Sequence, residues 1–178
     1  MSKVLFVNAC MRGPGISRTR VLCDKFLEAL TALSPRLELQ EYDLTAAPLS
    51  PLTASDVATR EAPDVSLEDP MFAPARAFAD ADLIVIGAPY WDLSFPAALK
   101  AFAEHISVKG ITFCYGEEGG AIGLCKAKHL VYLTTSGGFM GQYNFGYDYW
   151  SALGRTMFGI EDSCCLACEG LDIQELDA

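Results

Sequence analysis

The residues with the clearest chemical potential lie directly after the most apolar segment of the chain. Residues 83–86 are a continuous apolar run, which is typical of a strand buried on both faces of a parallel sheet. Tyr90, Trp91 and Asp92 follow this run, and Pro96 then opens a helical pattern. Ligands of open α/β sheets bind at the carboxyl ends of the strands. Two flat aromatic side chains at such an end predict a flat ligand.

A second group of candidate residues is Ser17-Arg18-Thr19, which starts a helical pattern after the glycine-rich segment 10–17. Backbone N–H groups, the helix dipole and two hydroxyls at a helix start favour a phosphate. Arg12 and Arg18 can add positive charge. The spacing matches neither a Walker loop nor a G-x-G-x-x-G turn. A simple N-cap at Ser17 is the alternative interpretation.

A third group is the turn Thr135-Ser136-Gly137-Gly138, which follows another apolar run. Two glycines suit a place where the backbone approaches another group closely, although an ordinary turn explains them equally well. The pair Tyr90 and Trp91 likewise has an alternative interpretation, as aromatic side chains that cover a helix.

The elements that must position these groups alternate along the chain between strands and helices. We predict strands over 3–8, 37–42, 82–87, 129–134 and 163–167, and helices over 18–33, 66–79, 96–107 and 147–158. Ser17 and Ser66 are the expected N-caps, and Gly159 the expected C-terminal cap. We expect an irregular crossing over 43–65, an excursion over 108–128, and a short helix or coil over 171–178.

This alternation predicts one α/β domain over residues 1–178, a three-layer sandwich with right-handed crossovers. The expected parallel sheet has five strands in the order 2-1-3-4-5. In that order the loops after strands one, three and four meet at one edge. A phosphate site, a flat aromatic platform and a glycine turn together describe a site for flavin mononucleotide (FMN).

Longer motifs strengthen this interpretation. The segment 89–100, PYWDLSFPAALK, is similar to the flavin-ring loop of azoreductases followed by I-P-x-x-L-K. Segments 110–115 and 123–126 resemble the G-x-T-F-x-Y and G-L-x-x-K stretches that follow it, and 135–138 resembles an S-R-G-G turn. From Ser2 to about Leu171, the chain therefore resembles the flavodoxin-like NAD(P)H-dependent oxidoreductases, the group that includes azoreductases and NAD(P)H:quinone reductases.

The resemblance implies a flavodoxin-like fold, bound FMN, NADH or NADPH as co-substrate, and a quinone, azo compound or similar small molecule as electron acceptor. It also implies a homodimer with two active sites at the interface. The implied FMN contacts are Cys10, Ser17, Arg18, Thr19, Pro89, Tyr90, Trp91, Asp92, Leu93, Thr135, Ser136, Gly137 and Gly138. No side chain is assigned as a catalytic acid or base, because the cofactor carries the chemistry.

The chain departs from the usual family residue at three of these positions, and it is also somewhat short. Asp92 stands where azoreductases usually have Asn, and a carboxylate cannot donate a hydrogen bond to a flavin carbonyl. Ser136 replaces the usual Arg, which removes a cation near the pyrimidine end of the ring. Cys10 occupies a position often held by Ser.

Charge and cysteine content exclude several other functions. The net charge of −10 argues against nucleic-acid binding and against a polybasic membrane patch. No apolar run approaches the roughly 20 residues that cross a bilayer, and no signal segment is evident, so we expect a cytoplasmic protein without membrane insertion. The chain has seven cysteines, and this odd number argues against a disulfide framework. We interpret the C-x-x-C of 165–168 as buried packing, because a structural zinc needs about four ligands.

Two competing functions share this fold. A flavodoxin-type one-electron carrier binds FMN without oxidising NAD(P)H, and the acidic charge suits docking on a basic partner. A phosphoacceptor signalling domain needs acidic residues after strands one and three, where Asn8 and Gly87 stand instead.

The aromatic residues after the glycine turn could wall the substrate site, form the dimer contact or pack in the core: Tyr143, Phe145, Tyr147, Tyr149 and Trp150.

Overall fold

The computed structural model describes residues 2–13 and 15–173. Its strands are β1 (Lys3–Asn8), β2 (Glu38–Asp43), β3 (Leu83–Gly87), β4 (Phe113–Tyr115), β5 (Ala121–Gly123), β6 (His129–Thr135) and β7 (Asp162–Cys168). Its α-helices are α1 (Arg18–Leu33), α2 (Ala54–Arg60), α3 (Ala73–Asp80), α4 (Ala97–Ile106) and α5 (Phe145–Leu153). A 3₁₀ turn, Pro70–Phe72, precedes α3, and a π-helical turn, Gly154–Phe158, extends α5.

Five parallel strands form the main sheet in the order β2-β1-β3-β6-β7. This is the predicted order 2-1-3-4-5, because β4 and β5 pair only with each other in a separate antiparallel hairpin. The central strands β1, β3 and β6 are almost wholly buried, and β2 lies largely exposed at one edge. The predicted fold, an α/β sandwich of the flavodoxin type, is confirmed.

The sheet separates two apolar layers, because successive side chains of a strand face opposite sides. On one side, Val4 and Phe6 of β1 pack with Cys23 and Leu27 of α1. On the other side, β1, β3 and β6 pack with α3, α4 and α5 around a buried aromatic group: Phe78, Phe102, Trp150 and Phe158. Together these layers hold the carboxyl ends of β1, β3 and β6 in fixed positions.

The segments before β3 differ from their prediction. Helix α2 lies inside 43–65, where an irregular crossing was expected, and a reciprocal capping box between Thr53 and Asp56 starts it. This helix buries no residue, so it lacks the apolar stripe that reveals a helix in sequence. The helix expected from Ser66 begins only at Ala73, after the 3₁₀ turn that Asp69 caps through the N–H of Met71.

The later segments are close to their predictions. The excursion 108–128 contains the β4–β5 hairpin. Helix α5 starts two residues earlier than expected, capped by the side chain of Asn144, and Gly159 closes the π-helical turn in the left-handed conformation, as predicted. Of the expected tail 171–178, residues 171–173 form a turn and the rest lies outside the described residues. None of the helices described over 2–13 and 15–173 is long and apolar enough to span a membrane.

Candidate functional site

The loops after β1, β3 and β6 meet at the carboxyl edge of the sheet, as the strand order predicts. They enclose a cavity of about 210 Å³. Its lining consists of Arg12, Ser17, Arg18, Thr19, Pro89, Tyr90, Trp91, Thr135, Gly137 and Asp172. All of these residues except Arg12 and Asp172 were predicted to contact a flavin.

The start of α1 supplies the polar end of this cavity. Ser17 is an extended N-cap whose hydroxyl accepts from the N–H of Arg20 at 3.2 Å. The first N–H groups of any helix have no intrahelical partner, so the amides of Arg18 and Thr19 are suited to an anion. The N-cap and the phosphate-site interpretations of Ser17 are therefore compatible.

A buried hydrogen bond joins this helix start to β6. The hydroxyls of Thr19 and Thr135 lie 2.6 Å apart, and both residues are buried. One hydroxyl donates to the other, so each retains a free lone pair but only one proton remains available to a ligand. This contact fixes the distance between the first loop and the glycine turn.

The charged side chains of the cavity are Arg12, Arg18 and Asp172. Arg18 donates from Nη1 to Asp172 Oδ1 at 2.7 Å and to the carbonyl of Leu171 at 2.8 Å. The hydrogen bond from Arg18 lowers the pKa of the Asp172 carboxyl below its ordinary value. Sequence reasoning missed Asp172, because it lies in a short acidic tail without periodicity, and only the fold brings it to the cavity.

The glycine turn approaches this same carboxylate. A Cβ added at Gly137 would overlap the side chain of Asp172, whereas Gly138 has open space around it. The hydroxyl of Ser136 is turned inward and donates to the carbonyl of Gly138 at 2.6 Å. The close approach that the two glycines predicted is thus, at Gly137, an approach by the chain's own Asp172.

The loop between β3 and α4, residues 88–96, forms the other wall of the cavity and is called the aromatic loop below. The N–H of Tyr90 donates to the carbonyl of Thr135 at 3.0 Å, and the phenol of Tyr90 donates to the carbonyl of Tyr143 at 2.8 Å. The ring of Tyr90 is therefore fixed at both ends. Trp91 lines the cavity and is 40% exposed, so part of its side chain is open to a ligand.

The loop then turns back sharply through two residues with left-handed backbone. Asp92 has a φ of 51° and Leu93 a φ of 65°, and Trp91 and Ser94 exchange two backbone hydrogen bonds across them. Two successive positive φ values define a type I′ turn, which is unfavourable for a branched side chain such as Leu. Strained residues of this kind persist where the surroundings hold them, often at ligand sites.

Five predicted contact residues do not line the cavity: Cys10, Asp92, Leu93, Ser136 and Gly138. Cys10 is buried beneath the first loop, with its sulfur 3.7 Å from the carbonyl of Gly87. Asp92 and Leu93 are exposed at the tip of the aromatic loop, next to the cavity rather than in it. Gly138 is exposed and Ser136 buried on the far side of the glycine turn.

The aromatic residues after the glycine turn divide between the alternatives. Trp150 is fully buried, and Tyr147 and Tyr149 pack against the same core. Tyr143 and Phe145 are about half exposed beside the aromatic loop, with the N–H of Phe145 donating to the carbonyl of Leu93. Only these two residues are placed to meet a substrate or a partner.

The cysteines of β7 are a correction. They were expected to be buried, but Cys164 and Cys168 are exposed and Cys165 is half-buried, since β7 is an edge strand. Over the described parts of the chain, no cluster of His, Cys, Asp and Glu side chains could hold a metal ion. His129 is exposed, with its ring 3.5 Å from the carboxylate of Asp162.

Comparison with known proteins identifies the family of the chain. A family model described as "Flavodoxin-like fold" matches residues 2–169. The chain is 38% identical to FMN-dependent NADH:quinone oxidoreductase 2 of Clostridium acetobutylicum, over 97% of this chain and 88% of that protein. It is 37% identical to FMN-dependent NADH:quinone oxidoreductase of Coprothermobacter proteolyticus, over 97% and 89% of the two chains.

Solved structures show the same fold. An azoreductase from Bacillus anthracis superposes with a TM-score of 0.81 at 24% identity, over 99% of this chain and 90% of that one. An FMN-dependent NADH-azoreductase from Bacillus anthracis, in complex with FMN, gives a TM-score of 0.82 at 21% identity, over 99% and 92% of the two chains.

Proposed function

The chain belongs to the flavodoxin-like fold family, among relatives named FMN-dependent NADH:quinone oxidoreductases, and we propose that it is an NAD(P)H-dependent FMN oxidoreductase. It carries hydride from a reduced nicotinamide through FMN to a quinone, an azo compound or a similar small acceptor. The observation that carries the proposal is that, in a chain of this family, the start of α1, the aromatic loop and the glycine turn converge on one cavity. The one-electron carrier is not retained, because the relatives are named as oxidoreductases.

The residues of the cavity fit the two parts of FMN. The amides at the start of α1 and the guanidiniums of Arg12 and Arg18 are donors without acceptor capacity, as a phosphate requires. The partly exposed side chain of Trp91 and the fixed ring of Tyr90 offer an apolar platform for an aromatic ring system. Of the five predicted contacts that do not line the cavity, the three exposed ones, Asp92, Leu93 and Gly138, are proposed for the outer part of the ring.

Bound FMN supplies the hydride-accepting and hydride-donating centre, and the protein supplies binding and orientation. Tyr90 and Trp91, which line the cavity, would hold the ring of FMN and leave space for a second flat molecule beside it. The Thr19–Thr135 hydrogen bond keeps the phosphate end and the ring end at a fixed separation. Among residues 2–13 and 15–173, the cavity is lined by no histidine and by one carboxylate, that of Asp172. No side chain is assigned as acid or base, because the cofactor carries the hydride chemistry.

We also propose that the active protein is a homodimer. Five large apolar side chains next to the cavity are between 40% and 69% exposed: Trp91, Leu93, Phe139, Tyr143 and Phe145. A group of this kind is typical of an interaction site, and a second copy placed there would complete the wall of the substrate site. Seven cysteines without a disulfide among them suit a cytoplasmic location, where thiols stay reduced.

A steady-state assay tests the proposed activity. The purified chain, supplied with FMN, should oxidise NADH or NADPH at a rate that rises when a benzoquinone is added, followed at the nicotinamide absorption band. Arg18→Ala should weaken FMN binding and leave the rate at saturating FMN nearly unchanged, because Arg18 lies at the start of α1, the part of the site proposed for the phosphate. If the chain with bound FMN oxidises NADH and NADPH only at the background rate, and added benzoquinone does not raise that rate, the proposed function is contradicted.

A further inference from the structure

The cavity assigned to the FMN phosphate contains a negative charge of the protein itself. Asp172 lines it together with Ser17, Arg18 and Thr19, and it takes the hydrogen bond that Arg18 Nη1 could give to a phosphate. The Asp172 side chain is 69% exposed, so packing does not oblige it to lie there. Arg12 is a second cation that lines the cavity, so Asp172 offsets part of the positive charge that Arg12 and Arg18 offer to a phosphate.

The backbone holds Asp172 in this position. The N–H of Asp172 donates to the carbonyl of Gly137 at 2.9 Å, and the N–H groups of Gly170 and Leu171 donate to Gly138 and Ser136 at 3.1 Å each. The segment therefore runs along the glycine turn, and the absence of a Cβ at Gly137 leaves space for the carboxylate. Removing the charge of Asp172 would leave these backbone hydrogen bonds in place.

We infer that Asp172 is a specificity-determining residue that reduces the contribution of the phosphate to flavin binding, so that the site discriminates weakly between FMN and riboflavin. This inference rests on the proposed function, since it concerns the same flavin site. A phosphate monoester carries about −1.5 to −2 charges at neutral pH. To reach Arg18 it must displace the Asp172 carboxylate or remain beside it.

Either course opposes FMN and leaves riboflavin unaffected. If the phosphate displaces the carboxylate, the charge-assisted hydrogen bond between Arg18 and Asp172 is lost. If the two groups stay side by side, two like charges share one cavity of about 210 Å³. Because the carboxylate is largely exposed, solvent screens the repulsion, and the effect is near the lower end of such interactions. For a phosphate of about −1.5 charge and a carboxylate about 4 Å away in largely aqueous surroundings, the repulsion corresponds to roughly a tenfold change in FMN affinity.

The test compares the dissociation constants of FMN and riboflavin for the full chain and for Asp172→Asn, by quenching of flavin fluorescence. The amide keeps the size of the side chain and removes its charge. We expect FMN to bind about tenfold more tightly to the variant and riboflavin to change less than twofold. Glu161→Gln is the matched control, since it removes one carboxylate at the opposite end of β7, and it should leave both constants unchanged.

Three other outcomes are informative. Equal FMN affinity of Asp172→Asn and the parent chain would overturn this inference and leave the proposed function standing. A parallel change in FMN and riboflavin affinity would also overturn it, because the effect would then be structural. No binding of either flavin by any variant would overturn the proposed function together with the inference. Asp172→Ala, which removes the hydrogen bond as well, should reproduce the gain for FMN alone.

Discussion

Two neighbouring tyrosines provide a sharp test of the packing that supports the site. The rings of Tyr132 in β6 and Tyr147 in α5 lie 6.4 Å apart. The phenol of Tyr147 donates to the carbonyl of Ser163 at 2.9 Å, whereas the buried phenol of Tyr132 has no hydrogen-bond partner within the described residues. The same substitution, Tyr→Phe, should therefore have opposite effects at the two positions.

The magnitudes follow from the hydrogen bonds. A buried polar group without a partner costs about 1–3 kcal/mol, so Tyr132→Phe should raise the free energy of unfolding by at least about 1 kcal/mol. Tyr147→Phe loses a hydrogen bond of a half-buried hydroxyl and should lower it by about 1 kcal/mol. For a chain of this length, 1 kcal/mol corresponds to about 2–4 °C in Tm. Burial also raises the pKa of Tyr132, so its phenol stays neutral in both assays.

Urea unfolding followed by circular dichroism measures both changes, with the slope of the transition as a check that only stability has changed. In both variants the pairing between β6 and β7, which includes Ser163, should stay intact. If Tyr132→Phe destabilises the protein as much as Tyr147→Phe does, the hydroxyl of Tyr132 has a partner, such as a buried water, and the reasoning is refuted.

Three further predictions concern other parts of the chain. A Cβ at Gly123 would overlap the backbone that ends the π-helical turn, so Gly123→Ala should lower the free energy of unfolding by more than about 3 kcal/mol. Gly120 lies on the same hairpin with open space around it. Gly120→Ala is therefore the control and should change the free energy of unfolding by less than about 0.5 kcal/mol. Two lysines lower the pKa of Asp80 to about 2, so its contribution to stability, present above pH 4, should disappear as the pH falls from 4 to 2; acid titrations of the parent chain and Asp80→Asn measure this. Burial raises the pKa of Cys125 to about 12, so a thiol reagent at pH 8 should modify exposed Cys164 within minutes and Cys125 only on unfolding, as mass spectrometry of the labelled protein will show.

Each of these has a contrary result. Equal stability of the two alanine variants would mean that the hairpin does not pack against the end of α5. If the parent chain and Asp80→Asn lose stability equally between pH 4 and 2, the ion pairs of Asp80 with the two lysines are not the source of that loss. Rapid labelling of Cys125 in the folded protein would show that its side of the core opens readily.

Sequence reasoning succeeded where one local pattern determines the structure. The continuous apolar runs predicted β1, β3 and β6 and, with them, the edge of the sheet where the site lies. The apolar stripe and the cap at Ser17 predicted α1 with its observed bounds, Arg18–Leu33. Since strand order follows from these elements and from crossover handedness, the convergence of the three loops could also be predicted.

The rest depends on contacts between distant segments. Helix α2 is set by a local capping box but buries nothing, so periodicity could not reveal it. The exposure of Cys164 and Cys168 follows from the position of β7 at the edge of the sheet, not from their apolar neighbours. Asp172 meets Arg18 across 154 residues of sequence, and no spacing rule connects them.

The most direct test of the central claim is the absorption spectrum of the protein with FMN, recorded without oxygen before and after NADH or NADPH is added. We predict flavin bands that bleach within seconds, because the proposed site would hold the phosphate of FMN in the cavity and leave its ring open to a nicotinamide beside Trp91. Bound flavin whose bands NADH and NADPH leave unchanged would contradict the claim and favour a one-electron carrier. Failure to bind FMN at all would leave only the fold.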